Sequence, residues 1–430
     1  MNTRRYFLMK STIALAGMSV LPSCIKKGGV AASDRLNVAV VGVGGRGAFG
    51  IGALKDNNPL CNLVAFADVD DKRASEAYEE FPDIPRYLDF RTMLDELGKQ
   101  IDAVVIATPD HTHHYIAKWC MNMGKHVYVE KPLAHSISEV RDLMSLEKKT
   151  GLACQMGNQG HSGAGMFLLN EWVKMGLLGD IEEVDTWTTH IGTSHPDTEY
   201  PKGEPVPDTL NWDLWVGPAK LRPYSSRYLP GAWRNWFDFG TGMLGDMVCH
   251  CLDSAYRVLD LDCPKKIEIE SSETRILSFP ESVKITFTFP CKKTGKDVIA
   301  RWYHGPDYPV PRPKELEIFR GMGGVHGGTI LYGSENHVML ESHAAKPYFF
   351  PISAQRNLMP KIKESLRKLP ESIPPTHREI DHNIATKYHY NNWLLACKGE
   401  ATCNSNFALS ARLTEAILFA NIALHLNCNL

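Results

Sequence analysis

The sequence predicts an α/β protein of two domains, the first on a parallel sheet and the second on a large, mainly antiparallel open sheet. Three observations predict it. At 430 residues the chain is too long for one small core. Up to about residue 155, continuous apolar strands (NVAVVGVG, LVAFADVD, AVVIATPD, HVYVEKP) alternate with helical stretches such as FRTMLDELG and HYIAKWCMNMG. That alternation is the mark of a parallel sheet covered on both faces. From Ile181 onward, IEEVDTWTTH, KKIEIESSE, SVKITFTF and DVIARWYH alternate with period two, as in a sheet with one packed face.

The chain begins MNTRRYFLMKSTIALAGMSVLPSC. The apolar run from Ser11 to Val20 is too short to span a bilayer and has the form of a signal-peptide core. Arg4 and Arg5, followed by Phe7, Leu8 and Lys10, resemble a twin-arginine export signal. LPSC resembles a bacterial lipobox, which makes Cys24 the candidate for lipidation. The expectation is a signal over 1–24, a small polar tether over 25–34, and a periplasmic protein anchored through Cys24.

A formal charge of −2 gives no basic excess, so nucleic acid is not an expected partner. Most of the ten cysteines after Cys24 lie in apolar runs, as small buried hydrophobes do. No CxxC pair has zinc spacing, and no structural zinc is expected.

The first domain, 35–155, opens with VAVVGVGGRG. Gly42, Gly44 and Gly47 form GxGxxG between a strand and a helix, with Gly45 and Arg46 inside the loop. The first glycine permits the tight turn and the second admits a pyrophosphate. The third brings helix and strand together, so the helix N-terminus faces the anion. Asp68 follows at the end of the second strand, where a carboxylate hydrogen-bonds an adenosine ribose. It would repel a 2′-phosphate, so NAD is expected in preference to NADP. This is the dinucleotide-binding arrangement of a Rossmann domain.

TPDHTHH lies at the C-terminal end of the next core strand, outside which such sheets bind their ligands. Thr108, Asp110, His111 and His113 are therefore placed at the nicotinamide half. The histidines lack an accompanying carboxylate or cysteine cluster, and no metal is assigned. Glu130 and Lys131 end the following strand, where Pro132 fixes the turn. A lysine there can exchange a proton with a substrate hydroxyl; alone, the pair reads equally well as a solvated strand tip.

The glycine motif, the strand-end Asp68, TPDHTHH, EKP and GDMVCHCLD together resemble the Gfo/Idh/MocA oxidoreductases, over nearly all the chain after the signal. The resemblance implies a Rossmann domain joined to an αβ substrate and oligomerisation domain over 156–430, and a dimer or tetramer. It implies that Lys131 assists hydride transfer, with Asp246 and His250 completing the site. Residues four apart on a helix share a face, which agrees with that pairing. It also places Asn158 beside the nicotinamide ribose and Glu130 alongside. His161 and Arg234 are weaker substrate candidates, and Trp233 or Trp236 could stack on a sugar.

The function so implied is hydride transfer between a ring hydroxyl of a sugar or glycoside and tightly bound NAD, since the periplasm is not expected to supply free dinucleotide. The alternative is glycoside cleavage through transient oxidation at C3, elimination, hydration and re-reduction. Retention of Lys131 favours the first. A non-catalytic sugar-binding lipoprotein would be expected to lack Lys131 or His250.

Overall fold

The structure, a computed structural model, describes residues 34–57, 59–190, 199–273, 276–291, 294–318, 320–324, 326–369 and 382–430. The export signal, most of the tether and Cys24 lie outside them.

Strand β1 (Leu36–Val41) is the run LNVAVV, its last four residues buried. With β2 (Cys61–Ala67), β3 (Arg86–Tyr87), β4 (Ala103–Ile106), β5 (His126–Glu130) and β6 (Cys154–Gly157) it forms one sheet, ordered β3-β2-β1-β4-β5-β6. Every pairing is parallel. The order reverses between β1 and β4, and the crevice outside the carboxyl ends of these two strands is where such a sheet takes its ligand. The flanking helices start where the sequence supplies caps. Asp70 accepts from the Lys72 and Arg73 amides, and Ser136 forms a capping box with Glu139.

One face of this sheet is completed from far along the chain. Tyr390, Trp393 and Leu394, on the helix His382–Cys397, pack with Val38, Val40, Phe66 and Val105. Tyr390 stacks on Tyr128 with ring centroids 4.1 Å apart. This helix lies within 156–430, yet its apolar partners are on the first sheet.

The second sheet holds β7 (Ile181–Trp187), β8 (Lys266–Ser271), β9 (Val283–Pro290), β10 (Asp297–His304), β11 (Gly328–Gly333), β12 (His337–Glu341) and β13 (Ala345–Phe350). Their order is β13-β12-β11-β7-β10-β9-β8. All pairings are antiparallel except that of β7 with β10. One face packs into the main core with the long helix Phe407–Leu426. On the other, Trp187, Tyr303, Ile330, Met339 and Phe350 are buried under Leu316, with Tyr308, Val310 and Met322 against them. The chain's own segment after β10 thus covers part of this face.

Residues 345–366 supply β13 and two short helices, Ile352–Asn357 and Met359–Leu366. The Pro- and Trp-rich stretch 199–239 has its own small core: Trp212, Trp215, Tyr228, Trp236 and Phe239 are buried together. Trp212 stacks on Trp215 at 4.8 Å between centroids, and Arg222 lies over the Tyr200 ring at 3.3 Å while pairing with Asp238.

Trp172 joins three elements of the second domain. It is fully buried, its indole N–H donates to Ser365 Oγ at 2.8 Å, and its ring meets Phe349 at 4.6 Å. Trp172→Ala should destabilise the protein by about 3–5 kcal/mol, read as a lowered urea midpoint. Trp172→Phe should lose clearly less.

Candidate active site

β1 runs into a turn at Gly42, whose φ of 79° lies in the left-handed region that favours glycine. A Cβ on Gly47 would stand 1.8 Å from the Gly42 carbonyl oxygen, and one on Gly44 2.6 Å from that of Arg73. Strand, loop and helix therefore meet at a distance no other residue permits, and the helix Arg46–Asp56 opens its N-terminus at the loop. Asp68 braces the loop from below. Its Oδ2 accepts from the Val43 and Gly44 amides at 2.8 and 3.2 Å, and its Oδ1 from the Asp70 amide at 3.0 Å. Burial raises the Asp68 pKa, against those three donors.

At the ends of β4 and β5 the side chains form a run of alternating charge. Lys131 Nζ donates to Asp246 Oδ1, and Arg234 Nε stands 3.6 Å from the same oxygen. Arg234 Nη1 donates to Asp110 Oδ1 at 3.1 Å, and Asp110 Oδ2 accepts from the Thr241 amide and hydroxyl at 3.1 and 2.5 Å. Burial alone would raise the Asp246 carboxyl; Arg234 and Lys131, with His190 contributing, hold it well below the usual carboxylate range. Beside them Glu130 Oε1 accepts from Arg46 Nε at 3.0 Å and Gln159 Nε2 at 3.1 Å.

Arg46, Asp110, Glu130, Lys131, Arg234 and Asp246 line one cavity of about 1240 Å³. Gly42, Gly44, Asp68 and Thr108 form one part of its wall, Glu130, Lys131, Asp246 and Arg234 another. Pockets for one small ligand run to about 300–1,000 Å³, so the space suits a dinucleotide together with a substrate. The residues present fit NAD. The glycine cradle leaves backbone approach to a pyrophosphate, Asp68 stands at the ribose position, and Glu130 Oε2 is a buried acceptor without a partner among the described residues.

The structure reassigns several residues expected at the cofactor or substrate. His111 is buried, with Nδ1 3.2 Å from the Phe239 carbonyl and Nε2 3.1 Å from that of Trp215. It fastens stretch 199–239 to the sheet and does not line the cavity. His113 lies between the carbonyls of Thr108 and Pro132, 2.8 Å from each, and ties the TPD turn to the EKP turn. His161 has no exposed side-chain surface. Its Nδ1 donates to Asp253 at 2.9 Å and its Nε2 accepts from Arg257 at 2.9 Å, so both nitrogens are committed within the protein. Trp236 is core, whereas Trp233 lines the cavity beneath the Arg234 guanidinium.

Asp246 sits in a π-helical turn, Leu244–Val248, not in regular α-helix. His250 follows, buried, its ring stacked 3.9 Å from that of His343, and is not among the residues lining the cavity. Asn158 is buried too. Its Oδ1 accepts from Ser405 at 2.6 Å, and its amide nitrogen has no partner among the described residues. Sequence reading missed Gln159, Thr241 and Arg73. The last arches over the loop, 2.6 Å from where a Gly45 Cβ would stand. Only its place, five residues past Asp68, could have suggested it.

Fold and cavity define a dinucleotide-binding α/β protein. Residues 36–158 match the model of the oxidoreductase family with an NAD-binding Rossmann fold, and residues 191–299 match that family's C-terminal alpha/beta domain. The two cover more than half the chain, which belongs to the Gfo/Idh/MocA oxidoreductase family. It is 34% identical over 168 residues to an uncharacterized oxidoreductase, YfiI, of Bacillus subtilis, covering 37% of this chain and 42% of that one. It is 32% identical over 182 residues to glycosyl hydrolase family 109 protein 2 of a Shewanella species, covering 40% and 38%. The matched region thus spans about two fifths of these curated relatives. In solved structures the fold resembles the WlbA dehydrogenase of Chromobacterium violaceum in complex with NADH and UDP-GlcNAcA. That match has a TM-score of 0.62 and 16% identity, over 92% of this chain and 96% of that one.

Burial pushes the His111 imidazole down to about 4, against the pull of its two carbonyl neighbours. Between that value and the unfolded pKa of about 6.5 the unfolded chain binds the extra proton. Stability contributed by neutral His111 is therefore present above pH 6.5 and lost as pH falls towards 4. Denaturant melts of His111→Gln should show a shallower loss of stability across this window than the wild type.

Proposed function

We propose that the protein moves a hydride between a ring hydroxyl of a sugar or glycoside and NAD. The observation that carries this is Lys131 paired with Asp246, on the wall of a cavity that also holds the glycine loop and Asp68. Bound NAD supplies the hydride acceptor. The chain's own part is to hold the carbinol carbon near Lys131, whose free amine takes the hydroxyl proton as the hydride leaves. Asp246, held ionised by Arg234 and Lys131, positions Lys131 Nζ. Arg234 and Trp233 offer a donor fork and an apolar ring suited to a sugar's hydroxyls and its face. His250, the other residue the family resemblance assigns to the site, is buried against His343. Export and lipidation at Cys24 rest on the N-terminal sequence alone, and a homo-oligomer rests on the family and on the partly covered second sheet.

The likeness to a glycosyl hydrolase family 109 protein favours a second reading, glycoside cleavage through transient oxidation of the ring. With a panel of glycosides, net NADH formation supports the first reading, and sugar release without net NADH the second. Under either, Lys131→Met should lower kcat by about a hundredfold or more, with NAD still bound. Full activity in both Lys131→Met and His250→Ala would remove this site from the chemistry.

A further inference from the structure

Resting on the reading of the cavity as the NAD site, we infer that residues 199–239 are a clasp that closes over the dinucleotide and makes it a retained cofactor. The stretch leaves the second domain and is fastened to the first at two separate places. After β2, Leu210 pairs with Asp70 in an antiparallel bridge. There the Asn211 amide donates to the Val69 carbonyl at 2.8 Å and the Asp71 amide to the Thr209 carbonyl at 2.9 Å. After β4, His111 is wedged between the Trp215 and Phe239 carbonyls, and its amide donates to Phe239 at 3.3 Å. Arg234 adds its bond to Asp110.

The two fastenings lie beyond the ends of β2 and β4, the two strands on either side of β1 in the sheet. Leu210, Leu214 and Trp215 line the same cavity as Gly44, Asp68 and Thr108. A dinucleotide with its ribose at Asp68 and its pyrophosphate at the glycine loop therefore has sheet on one side and clasp on the other. The clasp is held stiff by its own aromatic core. Cofactor exchange requires that one fastening open, whereas the substrate end at Lys131 is a different part of the wall.

The fastening after β2 offers a clean test. Asp71 is the first residue of the helix Asp71–Glu80, a position that accepts proline, and Asp70 before it is already extended. Asp71→Pro removes the one amide that donates to Thr209 and leaves the helix intact. Purified protein loaded with NAD is mixed with excess etheno-NAD and exchange is followed by fluorescence. The wild type should keep its NAD through gel filtration. Asp71→Pro should exchange roughly three- to tenfold faster, with kcat at saturating NAD unchanged. The double variant Asp70→Cys/Leu210→Cys, whose bridged positions suit a disulfide, should exchange more slowly when oxidised than when reduced. Wild-type exchange within the mixing time, or equal rates in the oxidised and reduced double variant, would overturn the clasp. Neither result bears on hydride transfer, which fails only if NAD-saturated protein oxidises no sugar.

Discussion

The site depends on a chain of alternating charge, Asp110–Arg234–Asp246–Lys131, closed by hydrogen bonds and ion pairs. Its members come from three regions. Asp110 and Lys131 end neighbouring strands of the first sheet, Asp246 lies in a π-helical turn of the second domain, and Arg234 belongs to the stretch between them. Each charge is at least partly withdrawn from water, so removing one leaves its neighbour uncompensated. The chain thus fixes the domains against each other at the point where hydride transfer is proposed. Asp110 is also tied to Thr241 through the Thr241 amide and hydroxyl.

Around this chain the polar groups divide between holding and reacting. His113 holds the TPD and EKP turns together, and Arg46 with Gln159 holds Glu130 against the glycine loop. Such buried groups are satisfied within the protein. What is left for a ligand is the set that lines the cavity and keeps spare capacity: Glu130 Oε2, Lys131 Nζ and the Arg234 fork. The Asp68 carboxylate serves both ends, bracing the loop while remaining on the cavity wall.

The parts legible in the sequence were those written locally. GVGGRG marks a turn that only glycine fits, the apolar runs mark buried parallel strands, and Asp68 and Lys131 stand at strand ends that the same runs define. Asp246 was legible through family resemblance, although the α-helical spacing that paired it with His250 meets a π turn in the structure. What was not legible depends on distant partners. Nothing in TPDHTHH shows that two of its histidines face backbone carbonyls, one of them more than a hundred residues away. The helix His382–Cys397 reads as a generic helix until the first sheet is seen to need its rings. The fastening of 199–239 to the end of β2 rests on backbone hydrogen bonds that no side-chain pattern encodes.

The most direct measurement is a crystal structure of the protein with NAD. The account predicts the pyrophosphate on the glycine loop, the adenosine ribose at Asp68 and the nicotinamide beside Lys131 and Asp246. Residues 199–239 would lie across the dinucleotide. A cofactor bound in the reverse sense, or outside that stretch with Lys131 remote from the nicotinamide, would contradict it.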